Sequence, residues 1–358
     1  MTSRSTCGCT RHSLHCIVPP YLLEHLAQTA KPTMRKQAIA TLAGTAEATG
    51  VRRTLCAMPS MTAVASPDRG KQRLIYDATG LSQAQLPGKL VRSEGDKKSA
   101  GKSKDPAVDE AFKYSGTTWD FYDQKFSRNS LDDKGMALIS SVHFGQDFNN
   151  AFWNGEQMVY GDGDGQIFLR FTKSLDVVGH ELTHGVVAHE CNLDYQGEPG
   201  ALNEHMADVF GITIRQWKLK TPVDKAEWRI GTEIMGPGVK ARALRDFGPD
   251  KAYVNDALLG TDPQPKNLKN QYKGSDDNGG VHINSGIPNH AYYVFARSLG
   301  GNAWDAPIAI WYETMRKLSS NSSFADMVST TEMVAIKNHG SGSVQHKALM
   351  AAWKEVGF

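Results

Sequence analysis

The sequence predicts an α+β fold, with a strand-rich, mixed first half and a mostly helical second half. Three observations carry this. From Lys71 to Arg92, short apolar runs such as Leu74-Ile75-Tyr76 and Leu90-Val91 are separated by turn residues, as strands require, and a second strand set follows through Ala137 to Phe144 and Gln157 to Phe171. From Asp176 onward, apolar residues recur at helical spacing, first as Val177, Val178, Leu182 and Val186-Val187. Residues 1–65 differ from both in being rich in Thr, Ala, Arg and Ser.

Taken in order, that first stretch holds one expected helix, Tyr21 to Ala43, and a loose run from Ala57 to Gly70 containing Pro59 and Pro67. It reads as a prosegment (1–65) with a linker cut between Met58 and Lys71. Residues 66–190 form the expected mixed domain. Within it Ser93 to Pro106 is an exposed loop, and Asp109 to Phe126, carrying Phe112, Tyr114, Trp119, Phe121 and Tyr122, is a helix packed on a sheet. Further strands are expected in Ala137 to Phe144 and Gln157 to Phe171, around the turn Gly161-Asp162-Gly163-Asp164-Gly165. A helix starting at Asp176 closes this unit. Residues 191–358 form the helical domain: after the stop Gly197-Glu198-Pro199-Gly200, helices are expected at Ala201–Trp217, Ser285–Leu299, Ala306–Leu318, Phe324–His339 and Ser343–Val356.

Bulk properties exclude several classes of function. The 358 residues are 40% hydrophobic and 22% charged, enough for two domains and an extension. A net charge of +2, from 40 basic and 38 acidic residues, gives no electrostatic case for nucleic acid. No apolar run approaches the roughly 18 to 20 residues that span a bilayer, so no membrane insertion is expected. Met1 to Pro20 carries Arg4, Arg11, His12 and three cysteines where a standard secretory signal would be apolar. Five cysteines, with Cys7, Cys9 and Cys16 crowded at the start and Cys56 and Cys191 beyond, make no disulfide framework. The first three are read as free thiols in a disposable segment rather than, with His12, as a metal site.

The chemistry concentrates at His180-Glu181-Leu182-Thr183-His184, an H-E-x-x-H pattern inside a helix, where positions i and i+4 put both imidazoles on one face. A catalytic zinc takes three protein ligands and keeps one position open. Glu204, twenty residues past His184, supplies the third from the next helix, and Asn203 and Asp208 stand beside it. Asp208, one turn beyond Glu204, is placed to accept from a ligand histidine and fix its tautomer.

This run, with Asn149 to Gly155, Met158 to Gly165, Gly200 to Asp208 and Asp277-Asn278-Gly279-Gly280-Val281-His282, resembles the thermolysin family of zinc metallopeptidases from about Leu74 to the C-terminus. Pro19-Pro20-Tyr21 in a short N-terminal segment resembles the protealysin branch. The resemblance implies one catalytic zinc in the cleft between the two halves, Glu181 as general base, Tyr195 and His282 as donors to the tetrahedral oxyanion, and Asp277 as the group orienting His282. Without it, His282 reads as a structural histidine. It further implies that Asn150, Arg245 and the carbonyl of Ala151 bind substrate backbone, although Asn150 taken alone also suits a turn. Phe168, Phe171, Val177 and Leu244 would line an apolar pocket, so cleavage is expected on the N-terminal side of Leu, Phe, Ile or Val. The partners implied are a peptide or protein substrate and the chain's own prosegment as inhibitor. Location is extracellular by resemblance, while the missing signal leaves a cytoplasmic precursor open. The rival reading is a catalytically silent, zinc-stabilised binding protein, but such a site tends to lose Glu181, Tyr195 or His282, and all three are present.

One departure stands out. Asp176 is kept, but Arg215, Arg229 and Thr232 occupy positions aligned with calcium-binding carboxylates of the family, and Arg242 stands at another calcium position. The double calcium site is therefore expected to be lost, with Arg215 pairing with Asp176 instead.

Overall fold

The computed structural model describes residues 14–57, 70–95 and 103–358. Cys7, Cys9 and His12, the expected cleavage stretch 58–69 and residues 96–102 of the expected loop lie outside the described residues.

The first half is built on a six-stranded sheet, ordered β1(His15–Cys16), β5(Ala151–Trp153), β6(Met158–Tyr160), β4(Leu138–Val142), β2(Arg73–Asp77), β3(Lys89–Ser93). β4 runs parallel to its neighbours β2 and β6, and the remaining pairs are antiparallel. The outermost strand, β1, comes from the N-terminal segment and pairs with β5 through His15 opposite Trp153 and Cys16 opposite Phe152. Where one helix was expected over 21–43 there are two, α1(Pro20–Thr29) and α2(Pro32–Ala57). Pro32 explains the break, because a residue preceding proline is driven out of the helical region, and Ala30 closes α1 in an extended conformation. Leu22, Leu23 and Leu26 bury the inner face of α1.

α3(Pro106–Phe126) opens on Asp105, whose carboxylate accepts from the Ala107 amide, and begins with a proline where no amide is needed. α4(Leu175–Glu190) and α5(Gly197–Leu219) cross the centre of the molecule. The expected stop Gly197 to Gly200 is the first turn of α5: Pro199 sits early enough in the helix that its missing donor is not needed. α6(Asp276–Asn284), α7(Gly286–Leu299), α8(Ala306–Met315), α9(Phe324–His339) and α10(Val344–Glu355) complete the helical half. α4 and α5 approach closely because Gly179 and Gly211 meet. A Cβ on Gly211 would lie 2.5 Å from the Asp176 carbonyl oxygen, and one on Gly179 would lie 3.2 Å from the Gly211 Cα. Among the described residues no helix is long and apolar enough to cross a membrane.

One ion cluster outside the centre ties the first half together. His143, just past β4, has a positive φ of 60°, unusual for a residue with a side chain. Its Nδ1 lies 2.7 Å from Asp162 and its Nε2 2.7 Å from Asp105, so both ring nitrogens face carboxylates and both must carry protons. The hydrogen bond to Asp162, against burial and with help from Asp105, raises its pKa to about 9 from an ordinary 6.5. A folded-state pKa above the unfolded value stabilises fully below about pH 6.5 and is lost as pH rises through about 9. His143→Gln should therefore lower Tm by about 2–4 °C at pH 6 and by little at pH 10. Melting curves giving a constant gap between the two proteins across that range would contradict the clamp.

Candidate metal centre and groove

α4 carries His180 and His184 one turn apart, and α5, held close by the glycine contact, brings Glu204 to face them; all three are fully buried. Their ligating atoms form a small triangle. His180 Nε2 and His184 Nε2 are 3.0 Å apart, and the Glu204 oxygens lie 3.5 and 3.4 Å from them. Four ligands at about 2.05 Å from a tetrahedral zinc are spaced by roughly 3.3 Å, so this donor set fits that ion. Two further observations agree. Glu204 Oε2 is buried without a hydrogen bond, and burial and the neighbouring His180 hold His184 well below its ordinary pKa, neutral as a ligand must be.

The tautomers are fixed from behind. Asn203 Nδ2 donates to the Leu193 carbonyl, so its oxygen faces His184 Nδ1 at 2.9 Å and takes that proton, leaving Nε2 for a metal. Asp208 Oδ1 lies 2.8 Å from His180 Nδ1 and accepts from the Arg245 guanidinium at 2.8 and 3.0 Å. Burial alone would raise the Asp208 pKa, but the Arg245 charge and His180 outweigh it and hold the carboxyl well below the usual range.

Behind Asp208 runs a buried chain that sequence reasoning missed. The Trp311 indole, a donor only, donates to His205 Nε2 at 2.7 Å, so His205 must carry its proton on Nδ1 and give it to Asn289 Oδ1 at 2.8 Å. Asn289 Nδ2 then donates to Asp208 Oδ2 at 2.8 Å. Burial keeps His205 neutral by lowering its pKa to about 4. The only sequence signal was the presence of polar residues, His205 and Asn289, on otherwise apolar helices.

Glu181 points from α4 toward β5, where its Oε2 accepts from the Trp153 amide at 2.9 Å. Burial first, and then the Glu204 charge, push its pKa well above the ordinary value. Across the cavity His282 gives Nδ1–H to Asp277 at 2.6 Å, while the Asp277 carboxylate also accepts the His282 and Ile283 amides. Asp277 to Gly280 all have positive φ, bending the chain so that the Asp277 side chain returns onto the residue five positions later. Burial opposes the imidazolium, but Asp277 and Glu204 outweigh it and raise His282 to about 9. The Tyr195 hydroxyl donates to Glu204 and lies 3.2 Å from His282 Nε2.

A peptide segment of the chain itself runs through this groove. The Cys16 carbonyl accepts from His282 Nε2 at 3.0 Å. The Ile17 amide donates to the Ala151 carbonyl at 3.2 Å and lies close enough to Glu181 to oppose its rise in pKa. The Ile17 carbonyl accepts from Arg245 at 3.0 Å, and the Val18 amide and carbonyl pair with the Asn150 side chain at 3.0 and 3.3 Å. The His15 ring packs 4.3 Å from that of His184 and 4.4 Å from that of Tyr195. Ile17 is fully buried, as are Phe168, Phe171, Val177 and Leu244, each at most 2% exposed, and all five belong to the large hydrophobic core that runs through both halves. Asn150, Ala151, Arg245 and His282 thus each contact the backbone of residues 16–18, and Tyr195 and Arg245 join that segment to Glu204 and Asp208. The segment itself, Cys16-Ile17-Val18, carried no signal beyond a short apolar run ending in Pro19-Pro20.

Away from the groove, Arg215 Nη1 lies 3.2 Å from Asp176 Oδ2 and 3.2 Å from Thr232 Oγ1, and Arg229 pairs with Glu227 at 2.6 Å.

Comparison with known proteins agrees with this geometry. The thermolysin metallopeptidase catalytic-domain profile matches residues 45–188, and the thermolysin metallopeptidase alpha-helical-domain profile matches residues 191–358. An extracellular metalloprotease of Pectobacterium carotovorum subsp. carotovorum is 46% identical over 289 residues, 80% of each chain. Protease PrtS of Photorhabdus sp. (strain Az29) is 42% identical over 348 residues, covering 95% of this chain and 91% of that one. The solved precursor of protealysin, a metalloproteinase from Serratia proteamaculans, superposes with a TM-score of 0.84 at 41% identity, over 96% of this chain and 99% of that one. With a strand-rich domain and a helical domain meeting at a His-His-Glu cluster, the chain belongs to the thermolysin family of metallopeptidases and is a metalloendopeptidase.

Proposed function

We propose that this metalloendopeptidase cuts on the N-terminal side of bulky hydrophobic residues, that it is made as a precursor of the protealysin type, and that its own N-terminal segment (1–65) is the inhibitor. The observation that carries the reading is Ile17, an aliphatic side chain wholly buried beside the metal centre, with the backbone around it held by Asn150, Ala151 and Arg245.

His180, His184 and Glu204 would hold the zinc, which supplies Lewis-acid activation of water and of the scissile carbonyl. Glu181 takes the proton of the attacking water and delivers it to the leaving amine; its burial strengthens it as a base. His282, kept cationic by Asp277, donates to the carbonyl oxygen as negative charge develops there, and Tyr195 joins it when its hydroxyl turns from Glu204. Asn203 and Asp208 orient the ligand histidines. Phe168, Phe171, Val177 and Leu244 favour an apolar residue after the cut. Freed of its N-terminal segment, the chain should cleave a mixed peptide pool mainly before Leu, Phe, Ile and Val. Product sequencing that finds mainly charged residues after the cut would reject the pocket.

The double calcium site is proposed to be lost. The Arg215 guanidinium stands against Asp176 and Thr232 where a cation would need oxygen ligands. A chelator selective for calcium over zinc should shift Tm by no more than about 1–2 °C, and a large drop would reject this. The Pectobacterium relative is named an extracellular metalloprotease, and the same location is proposed here.

A further inference from the structure

We propose that the chain is its own first substrate, and that the bond it hydrolyses is Cys16–Ile17. The proposal rests on the peptidase reading above and adds a specific cut that leaves most of the inhibitor in place.

A segment that merely plugged a groove could lie in any register and either direction. This one is seated as a substrate must be. The Cys16 carbonyl oxygen meets the His282 donor, the Ile17 nitrogen lies by the Ala151 carbonyl and Glu181, and the following carbonyl and amide meet Arg245 and Asn150. The side chain after the bond is the aliphatic one that the pocket favours. Alternation along β1 turns His15 toward His184 and Tyr195 and Cys16 into the separate apolar cluster of Phe148 and Phe152. Cys16 presents its carbonyl to the His282 donor.

The step balances with water alone. Water oxygen joins the Cys16 carbonyl carbon, the C–N bond to Ile17 breaks, and both water protons end on the Ile17 nitrogen, the first carried by Glu181 and the second given up by the new carboxyl group as it ionises. The products are a Cys16 carboxylate and an Ile17 ammonium. Residues after the cut stay docked, because Leu22, Leu23 and Leu26 of α1 are buried and Thr41 of α2 accepts from the Asn149 amide. The first cut therefore sheds residues 1–16 without opening the groove to other peptides.

The test is intact-mass and N-terminal sequencing of the full-length zinc-loaded protein over time, beside Glu181→Gln. The expected result is a new terminus at Ile17, formed with a rate constant unchanged over a hundredfold dilution and at least about a thousandfold slower in Glu181→Gln. In the Glu181→Gln protein the Ile17 and Val18 amides should be protected from hydrogen exchange; free exchange there would overturn the docking. A chain that keeps its original N-terminus, or is cut only elsewhere, yet hydrolyses a quenched peptide once its N-terminal segment has been removed by an added protease, overturns the proposal and leaves the peptidase reading standing. No cut and no peptide hydrolysis under those conditions would end both.

Discussion

Glu181→Gln should lower peptide hydrolysis by at least about a thousandfold, roughly 4 kcal/mol at the barrier, while the bound zinc is unchanged. The expectation follows from what Glu181 touches. It lies one residue from a ligand but faces the opposite wall, where it accepts the Trp153 amide. Glutamine keeps the shape and an acceptor for that amide, so folding should survive, but it cannot take a proton from water. Activity measured on a quenched peptide, with metal analysis on the same samples, separates the outcomes. Full loss with full zinc assigns the base to Glu181. Near wild-type activity would mean that another group performs that role, and loss of zinc together with activity would reduce Glu181 to a support for the ligands.

The second large effect is expected at Ile17. Removing a fully buried isoleucine from its pocket forfeits about 2–3 kcal/mol, and an aspartate there must also lose its hydration. Ile17→Asp in the otherwise intact chain should therefore raise hydrolysis of an added peptide by about a hundredfold or more before any processing, with intact mass confirming that the N-terminal segment is still attached. An uncut variant as silent as the wild type would show that the block lies in the α1–α2 hairpin rather than in the strand that enters the groove.

Sequence reading reached the metal triangle because its information is local. His180 and His184 sit at i and i+4 of a periodic apolar helix, and Glu204 with Asp208 repeats the same spacing on the next. The long amphipathic helices of the second half were legible for the same reason, and α9 begins and ends where its apolar period does. What escaped depends on distant partners. β1 is two residues long and extended only because β5 pairs with it 136 to 138 positions later. The chain from Trp311 to Asp208 joins α5, α7 and α8, and nothing in the neighbourhood of His205 foretells Asn289. The break at Pro32 was local and readable, but the helical composition on both sides concealed it. Asp277 and His282 needed the family resemblance, since the left-handed turn between them belongs to no regular period.

The meeting of Gly179 and Gly211 has a bearing on how such an enzyme can change over generations. The distance between the two-histidine helix and the glutamate helix is set by a missing carbon atom, not by any side chain that could be traded for one of similar size. An alanine at position 211 would press on the Asp176 carbonyl and on the backbone of His180 itself, moving a ligand rather than loosening a distant core. Mutational drift at this contact is therefore felt first as poorer metal retention. The route to a different metal preference through helix spacing is closed, leaving the ligands and their hydrogen-bonding partners as the positions where selection can act.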